Sequence, residues 1–185
     1  MFDSQQALAF ANTRLDRPTE SVDQLADRDA ASRWLAQDLG YSQQRPLRAV
    51  EHAELLRLRD SSRRLIQARS AGIPPPAEDL TAVNHASAAA PRAEQLGADW
   101  QRSVQFTATG SSSPRDFTEL ISGLASATIA LAANPPASIA ECGADDCVML
   151  FLRTDPRRHW HSDRCGNRMR AARSYARRRP TTPAR

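Results

Sequence analysis

The chain is 185 residues long, with a formal net charge of +4 and the composition of an ordinary globular protein. No apolar run approaches the roughly 18 residues that a membrane span requires, and the polar, acidic start does not match a secretion signal, so we expect a cytoplasmic protein with no membrane partner. The charge is unevenly distributed along the chain. Residues 135–185 contain 11 arginines and five acidic residues, whereas residues 1–134 contain 14 arginines and 16 acidic residues.

Helices are predicted over much of the first half of the chain. Residues 1–13 fit either a strand or a short helix. Apolar residues recur at three- and four-residue spacing over residues 27–39, and Gly40 is placed to end that helix. A longer helix is expected from Pro46 to Ser70, with Gly72 after its end. Its predicted inward side chains are Val50, Leu55, Leu58 and Leu65.

Two more helices and one β element are predicted next. A helix is expected over residues 77–88, and the alternating segment 100–109 is typical of a strand or hairpin arm. Ser113 is expected to cap a further helix that has a proline at its first position. The inward stripe of that helix is Phe117, Ile121, Leu124, Thr128 and Leu131. Asn134 and the two prolines after it end the helix and mark a domain boundary.

All three cysteines lie between residues 142 and 165, and this odd, clustered set favours a metal site over disulfides. With one histidine they give Cys-x4-Cys, thirteen intervening residues and His-x3-Cys, spacings that occur in structural zinc sites. Thiolates and imidazole select zinc over hard cations, and four protein ligands leave no position for a catalytic water. We therefore predict one structural Zn²⁺ bound by Cys142, Cys147, His161 and Cys165, with His159 as the alternative to His161.

The predicted ligands lie on a short β unit followed by a helix. The segment between Cys142 and Cys147 fits a turn, flanked by Ile139-Ala140 and the apolar run 148–152. Residues 157–161 are expected to form a second strand. Ser162 is expected to cap the last helix, with Cys165 in its first turn. Such a fragment has little core of its own, and zinc binding can supply on the order of 10 kcal/mol of folding free energy.

This C-terminal segment resembles a known zinc-binding family. Trp160-His161-Ser162 followed by Cys165-Gly166-Asn167-Arg168 resembles the CGNR zinc finger, in which a cysteine is usual at the position of His161. The preceding Phe151-Leu152 is similar to the Phe-Leu-Asp of that family, with Arg153 in place of the acid.

A second resemblance covers the N-terminal part. Asn12-Thr13, Trp34-Leu35 and Leu58-Arg59 are similar to the ABATE domain, which commonly precedes the CGNR finger in bacterial proteins described as stress-induced transcription regulators. The two resemblances imply a metal-binding regulator. Asn12 and Arg59 are candidates for a polar pocket that binds a small-molecule effector, with a structural salt bridge or helix cap as the alternative.

The last helix is rich in arginine. A helix that begins at Asp163 places Cys165, Met169, Ala172 and Ala176 on one face, which we expect to pack on the zinc hairpin. The other faces are basic, which suits phosphate contacts and guanine edges. The candidate nucleic-acid-binding residues are Arg157, Arg158, Arg164, Arg168, Arg170, Arg173 and Arg177. We expect DNA as the partner; RNA, a protein, or a merely solvated helix are the alternatives.

An enzyme is not expected. His52-Ala-Glu54 and two later cysteines resemble the zinc deaminase signature, but Glu141 stands where that signature has proline, and four residues rather than two separate the cysteines. The predicted fold class is α+β, mainly α. A helical domain with a small β element spans residues 1–134, a zinc finger of one β-hairpin and a helix spans 135–179, and a flexible tail spans 180–185.

Overall fold

A computed structural model describes residues 2–16, 21–42 and 45–178, which form six helices and three two-stranded antiparallel sheets. The helices are α1 (Ser4–Ala11), α2 (Arg28–Leu39), α3 (Ala49–Ala71), α4 (Ala77–Ala88), α5 (Phe117–Ala133) and α6 (Asp163–Arg178). The strands pair as β1 (Arg14–Asp16) with β2 (Ser21–Asp23), β3 (Arg92–Leu96) with β4 (Arg102–Phe106), and β5 (Ser138–Glu141) with β6 (Leu150–Arg153). The expected class is confirmed. The expected tail, residues 180–185, lies outside the described ranges.

The hydrophobic core is built around α5, which packs against α1, α3 and α4. The predicted inward stripe of α5, from Phe117 to Leu131, is buried. Gly123 of the same helix allows the ring of Phe2 to approach closely, because a Cβ at this position would lie 3.1 Å from two ring carbons. None of the described helices is long and apolar enough to cross a membrane.

Glycines end two helices where the sequence predicts them. Gly40 and Gly72 adopt the left-handed conformation, with φ of 66° at both, and follow α2 and α3 directly. α3 begins at Ala49 and not at Pro46, because the Glu51 carboxylate accepts the backbone N–H of Arg48 at 2.8 Å and fixes the first turn there. Val50, expected inside, is exposed on that first turn.

Two further boundaries differ from the prediction. α1 shows that the first residues are helical, with the Asp3 carboxylate accepting the N–H of Gln6 at 2.9 Å. α5 begins three residues later than expected, because Asp116 rather than Ser113 is the N-cap and accepts the N–H of Glu119 at 2.8 Å. A carboxylate at this position also carries the charge that a helix N-terminus favours.

The β5–β6 hairpin, which precedes α6, is docked on the helical part of the protein. Its side chains Ile139 and Leu150 are buried in the same hydrophobic core as α1, α3 and α5. Ser70 of α3 donates its hydroxyl to the Ile139 carbonyl at 3.1 Å. Residues 157–161, expected as a strand, form a turn and an irregular segment, because β6 already pairs with β5.

Asn12 connects α1 to this hairpin. Its amide donates to the Leu150 carbonyl at 2.9 Å and accepts the Leu150 N–H at 3.0 Å, so the side chain pairs with β6 as a neighbouring strand would. Arg63 of α3 donates to the Asn12 amide oxygen at 3.2 Å and to the Val148 carbonyl. Together these side chains satisfy the backbone at the start of β6.

Asn12 and Arg59, the candidates for a ligand pocket, both have hydrogen-bond partners within the fold. The guanidinium of Arg59 is fully buried and donates to Asp23 at 2.7 Å and Asp60 at 2.8 Å. These contacts are those that the structural alternative expects, and a ligand role for the two residues stays a prediction.

The Asn12→Ala substitution should destabilise the protein by about 2–6 kcal/mol, because it leaves the buried N–H and C=O of Leu150 without their partner and each such group costs about 1–3 kcal/mol. Equilibrium unfolding in urea measures this difference. Asn84→Ala, an exposed position on α4, is the matched control and should change the free energy of unfolding by no more than about 0.5 kcal/mol. Equal effects of the two substitutions would contradict the assigned role of Asn12.

Candidate metal centre

A compact turn carries the first two cysteines. Cys142 follows β5 directly and donates its N–H to the Met149 carbonyl at 2.9 Å, while the N–H of Cys147 donates to the Ala144 carbonyl at 2.9 Å. The N–H of Gly143 also reaches the carbonyl of His159 at 2.9 Å. A Cβ at Gly143 would lie 3.3 Å from that carbonyl oxygen, so a glycine eases this close approach.

The second pair of ligands comes from the start of α6. Ser162 accepts the N–H of Cys165 at 3.4 Å, as expected for the residue that caps this helix. His161 lies just before it, with its imidazole directed at the cysteines. His159 has an exposed side chain that packs edge-on to Trp160, with ring centroids 6.0 Å apart, and it is not part of the cluster.

The ligand atoms of Cys142, Cys147, His161 and Cys165 all lie within 4.8 Å of one another. Nδ1 of His161 is 3.4 Å from the sulfur of Cys147 and 3.6 Å from that of Cys165. A tetrahedral Zn²⁺ with bonds of about 2.3 Å to sulfur and about 2.0 Å to nitrogen requires sulfur–nitrogen separations of about 3.5 Å. The four residues therefore fit a zinc ion, and Nδ1 is the imidazole atom that would bind it.

Deprotonation of all three thiols in the cluster requires a cation. Burial, followed by the neighbouring sulfurs of Cys142 and Cys165, raises the pKa of the Cys147 thiol to about 12. Three buried sulfurs in contact cannot all carry negative charge at neutral pH unless a positive charge lies between them. Zinc supplies that charge, and with four protein ligands it acts as a structural ion.

Each of the three residues after the cysteine in the Cys-Gly-Asn-Arg tetrapeptide makes a different contact. Gly166 is buried against Trp160, since a Cβ there would lie 3.1 Å from the indole. Asn167 accepts a hydrogen bond from Arg170 at 2.5 Å. Arg168 forms an ion pair with Asp146, in the turn between the first two cysteines, and donates to the sulfur of Cys165 at 3.7 Å.

The candidate nucleic-acid-binding arginines fall into three groups according to their contacts. Arg158 and Arg168 are engaged within the finger: Arg158 donates to the carbonyls of Trp160 and His161 and lies over the Phe151 ring. Arg170 and Arg173 lie over the Trp160 ring, with guanidinium carbons 5.8 and 5.6 Å from its centroid. The side chains of the remaining three candidates are exposed and make no ion pair among the described residues: Arg157, Arg164 and Arg177.

The packed face of α6 is shorter than expected. Cys165 is buried and Met169 is half-buried, but Ala172 and Ala176 are exposed. The hairpin reaches only the first two turns of the helix, so the later turns are exposed to solvent. His52, considered as part of an enzyme signature, hydrogen-bonds the Leu25 carbonyl through Nε2 at 2.8 Å and lies outside the metal cluster.

Three functional contacts of the finger were missed by sequence reasoning. Asp146 holds Arg168, Trp160 supports two arginines, and Asn12 holds the hairpin from 138 residues away. A signal for the first two exists in the sequence, because Asp146 and Trp160 directly precede the ligands Cys147 and His161. Nothing local in the sequence identifies the contact with Asn12.

Comparisons with known proteins agree with both resemblances. Residues 5–135 match the ABATE family, which is described as "Putative stress-induced transcription regulator". Residues 139–178 match the CGNR zinc finger. No curated protein matches the chain significantly.

We expect the purified protein to contain one zinc ion per chain, and the substitution His161→Cys should retain it, because a thiolate can replace the imidazole in a structural site. His161→Ala should weaken zinc binding by more than about 100-fold, beyond the effect of changing a residue that only orients a ligand. Elemental analysis and competition with a chromogenic chelator measure stoichiometry and affinity. His159→Ala is the control, and zinc loss in this variant with retention in His161→Ala would overturn the ligand assignment.

Proposed function

We propose that this chain, which belongs to the ABATE family and carries a CGNR zinc finger, regulates transcription in the cytoplasm by binding duplex DNA through the arginines of α6. In this proposal residues 135–179 form the DNA-binding unit and residues 1–134 the regulatory unit. The observation that supports it best is a helix that is fixed by a zinc site and carries a large excess of positive charge. Residues 163–178 contain six arginines and one aspartate. The zinc has no catalytic role here, because protein side chains fill its four positions.

The geometry of α6 suits a groove of DNA. Its first turns are held by Cys165 and by Trp160, whereas residues 170–173 and 175–177 are exposed. A helix with its side chains is about 10–12 Å across, which matches the roughly 12 Å width of the major groove. A helix held at one end and exposed beyond it can enter that groove without displacing other parts of the protein.

The arginines are suited to two different kinds of contact. Arg164 and Arg177 carry exposed charges without an acid partner among the described residues, so phosphates would be their first counter-ions on DNA. Arg170 and Arg173 are ordered by Trp160, and a guanidinium that is already ordered loses less conformational entropy when it binds. These two side chains are the better candidates for contacts with guanine edges.

The same contacts favour duplex DNA over single-stranded RNA. Proteins that bind single strands stack bases on exposed aromatic rings. In the finger, Trp160 is covered by Gly166 and two arginines, which leaves Tyr175, 69 % exposed, as an isolated aromatic residue on α6. One exposed ring does not form the platform that successive bases require.

Binding of a labelled duplex, followed by fluorescence anisotropy at several salt concentrations between about 50 and 200 mM, tests the proposal. The double substitution Arg164→Gln with Arg177→Gln should weaken binding and reduce the slope of log affinity against log salt by about 2, since each phosphate contact contributes about 0.9. Neither residue binds the zinc or another side chain among those described, so the fold should be retained.

The control is Arg33→Gln with Arg102→Gln, which removes the same charge from exposed positions on α2 and β4. It should leave the slope nearly unchanged. Equal losses in the two double variants would show that only net charge matters, and no binding at 50 mM salt would refute DNA binding. Tighter binding to a single-stranded RNA of the same length would favour the RNA alternative.

A further inference from the structure

A cavity of about 430 Å³ lies between the β3–β4 hairpin and helices α4 and α5. It contains no residue of the zinc finger. Its lining combines apolar, hydroxyl and cationic groups, which include Phe2, Ser87, Arg92, Val104, Ser126 and Ala127. This size falls within the usual range of small-molecule sites, about 300–1,000 Å³, and is sufficient for a molecule of about ten heavy atoms.

Arg92 gives the cavity a positive charge. Its guanidinium carbon lies 5.6 Å from the centroid of the Phe106 ring, directly opposite on β4, and the residue is half-buried. Among the described residues no carboxylate pairs with it. Glu94, the next residue on the same face of β3, pairs instead with Arg102 at 2.7 Å. Burial removes part of this charge from water and lowers the pKa of Arg92.

A hydroxyl donor lies in the same cavity. The oxygens of Ser87 on α4 and Ser126 on α5 are 2.8 Å apart, and either can be the donor. One proton suffices for that hydrogen bond, so the second hydroxyl proton is left without an acceptor among the described residues. Ser122, one turn earlier on α5, differs because it donates to the carbonyls of Ser87 and Ala90.

We propose that this cavity binds a small organic carboxylate with an apolar body. The carboxylate would pair with Arg92 and accept the free hydroxyl proton of the Ser87–Ser126 pair, while the body would lie against Phe2, Val104 and Ala127. A neutral ligand of the same shape would leave the half-buried charge of Arg92 uncompensated. A phosphate would bring more charge than one guanidinium can match, and it would gain nothing from the apolar walls.

Calorimetric titration of the full, zinc-loaded chain tests this assignment with octanoate as the probe, used below its micelle concentration. Octanoate should bind at least 10-fold more tightly than octanamide, which has the same body without the charge. It should also bind at least 10-fold more tightly than acetate, which has the charge without the body. Equal affinity for octanoate and octanamide would overturn the proposal, as would failure of octanoate to bind.

Two substitutions assign the binding to this cavity. Arg92→Gln should weaken octanoate binding at least 10-fold, whereas Arg33→Gln removes an exposed charge on α2, outside the cavity, and should leave it unchanged. Unaltered binding by Arg92→Gln would place the ligand elsewhere and refute the site. Circular dichroism shows whether Arg92→Gln folds. If it does not, the octanoate–octanamide comparison tests the charge, and Val104→Phe, which fills the cavity and should abolish octanoate binding, tests the site. This binding is measured without DNA, so its outcome is independent of the function proposed for α6.

Discussion

Zinc coordination is the interaction on which the position of α6 depends. The buried residues of this helix, within the range whose side chains are described, are Cys165 and Gly166, and beyond them every residue is half-buried or exposed. A helix of sixteen residues with so little apolar contact is marginal in water. The bond from Cys165 to the metal, and through it to Cys142 and Cys147, supplies the attachment that packing does not. Zinc sites of this kind contribute on the order of 10 kcal/mol to folding.

The hairpin that carries the first two ligands is itself fixed to the helical part. Ile139 and Leu150 share its core, and the amide of Asn12 pairs with the backbone of Leu150. Arg63 adds a hydrogen bond from α3 to the Val148 carbonyl, in the segment that follows Cys147. The arginine-rich helix therefore has a defined orientation relative to the N-terminal part, through one chain of contacts that runs from α1 and α3 across β6 to the metal.

Local features of the sequence predicted a large part of this structure. The zinc ligands follow from spacing and the ends of α2 and α3 from Gly40 and Gly72, and α4 has the bounds that were expected. The missed features depend on partners that are distant in the sequence or on competing caps. Asp116 is preferred over Ser113 as a cap, and Arg168 is held by an acid 22 residues away. The extent of α6 that packs on the finger was overestimated, since helical periodicity does not reveal where the neighbouring surface ends.

Arginine content alone cannot identify a functional surface in this protein. Arginine takes every position that lysine could share, 25 in all, and many of these side chains form ion pairs or hydrogen bonds within the fold. The guanidinium forms several directed hydrogen bonds, so it serves equally to bind acids and carbonyls inside a structure and phosphates outside it. Contacts distinguish these uses. Arg59 and Arg168 have acid partners and stabilise the fold. Among the residues that the structure describes, Arg164 and Arg177 are exposed without an acid partner, and Arg92 is half-buried without one. A charge that the protein itself does not neutralise is the one left to recognise another molecule.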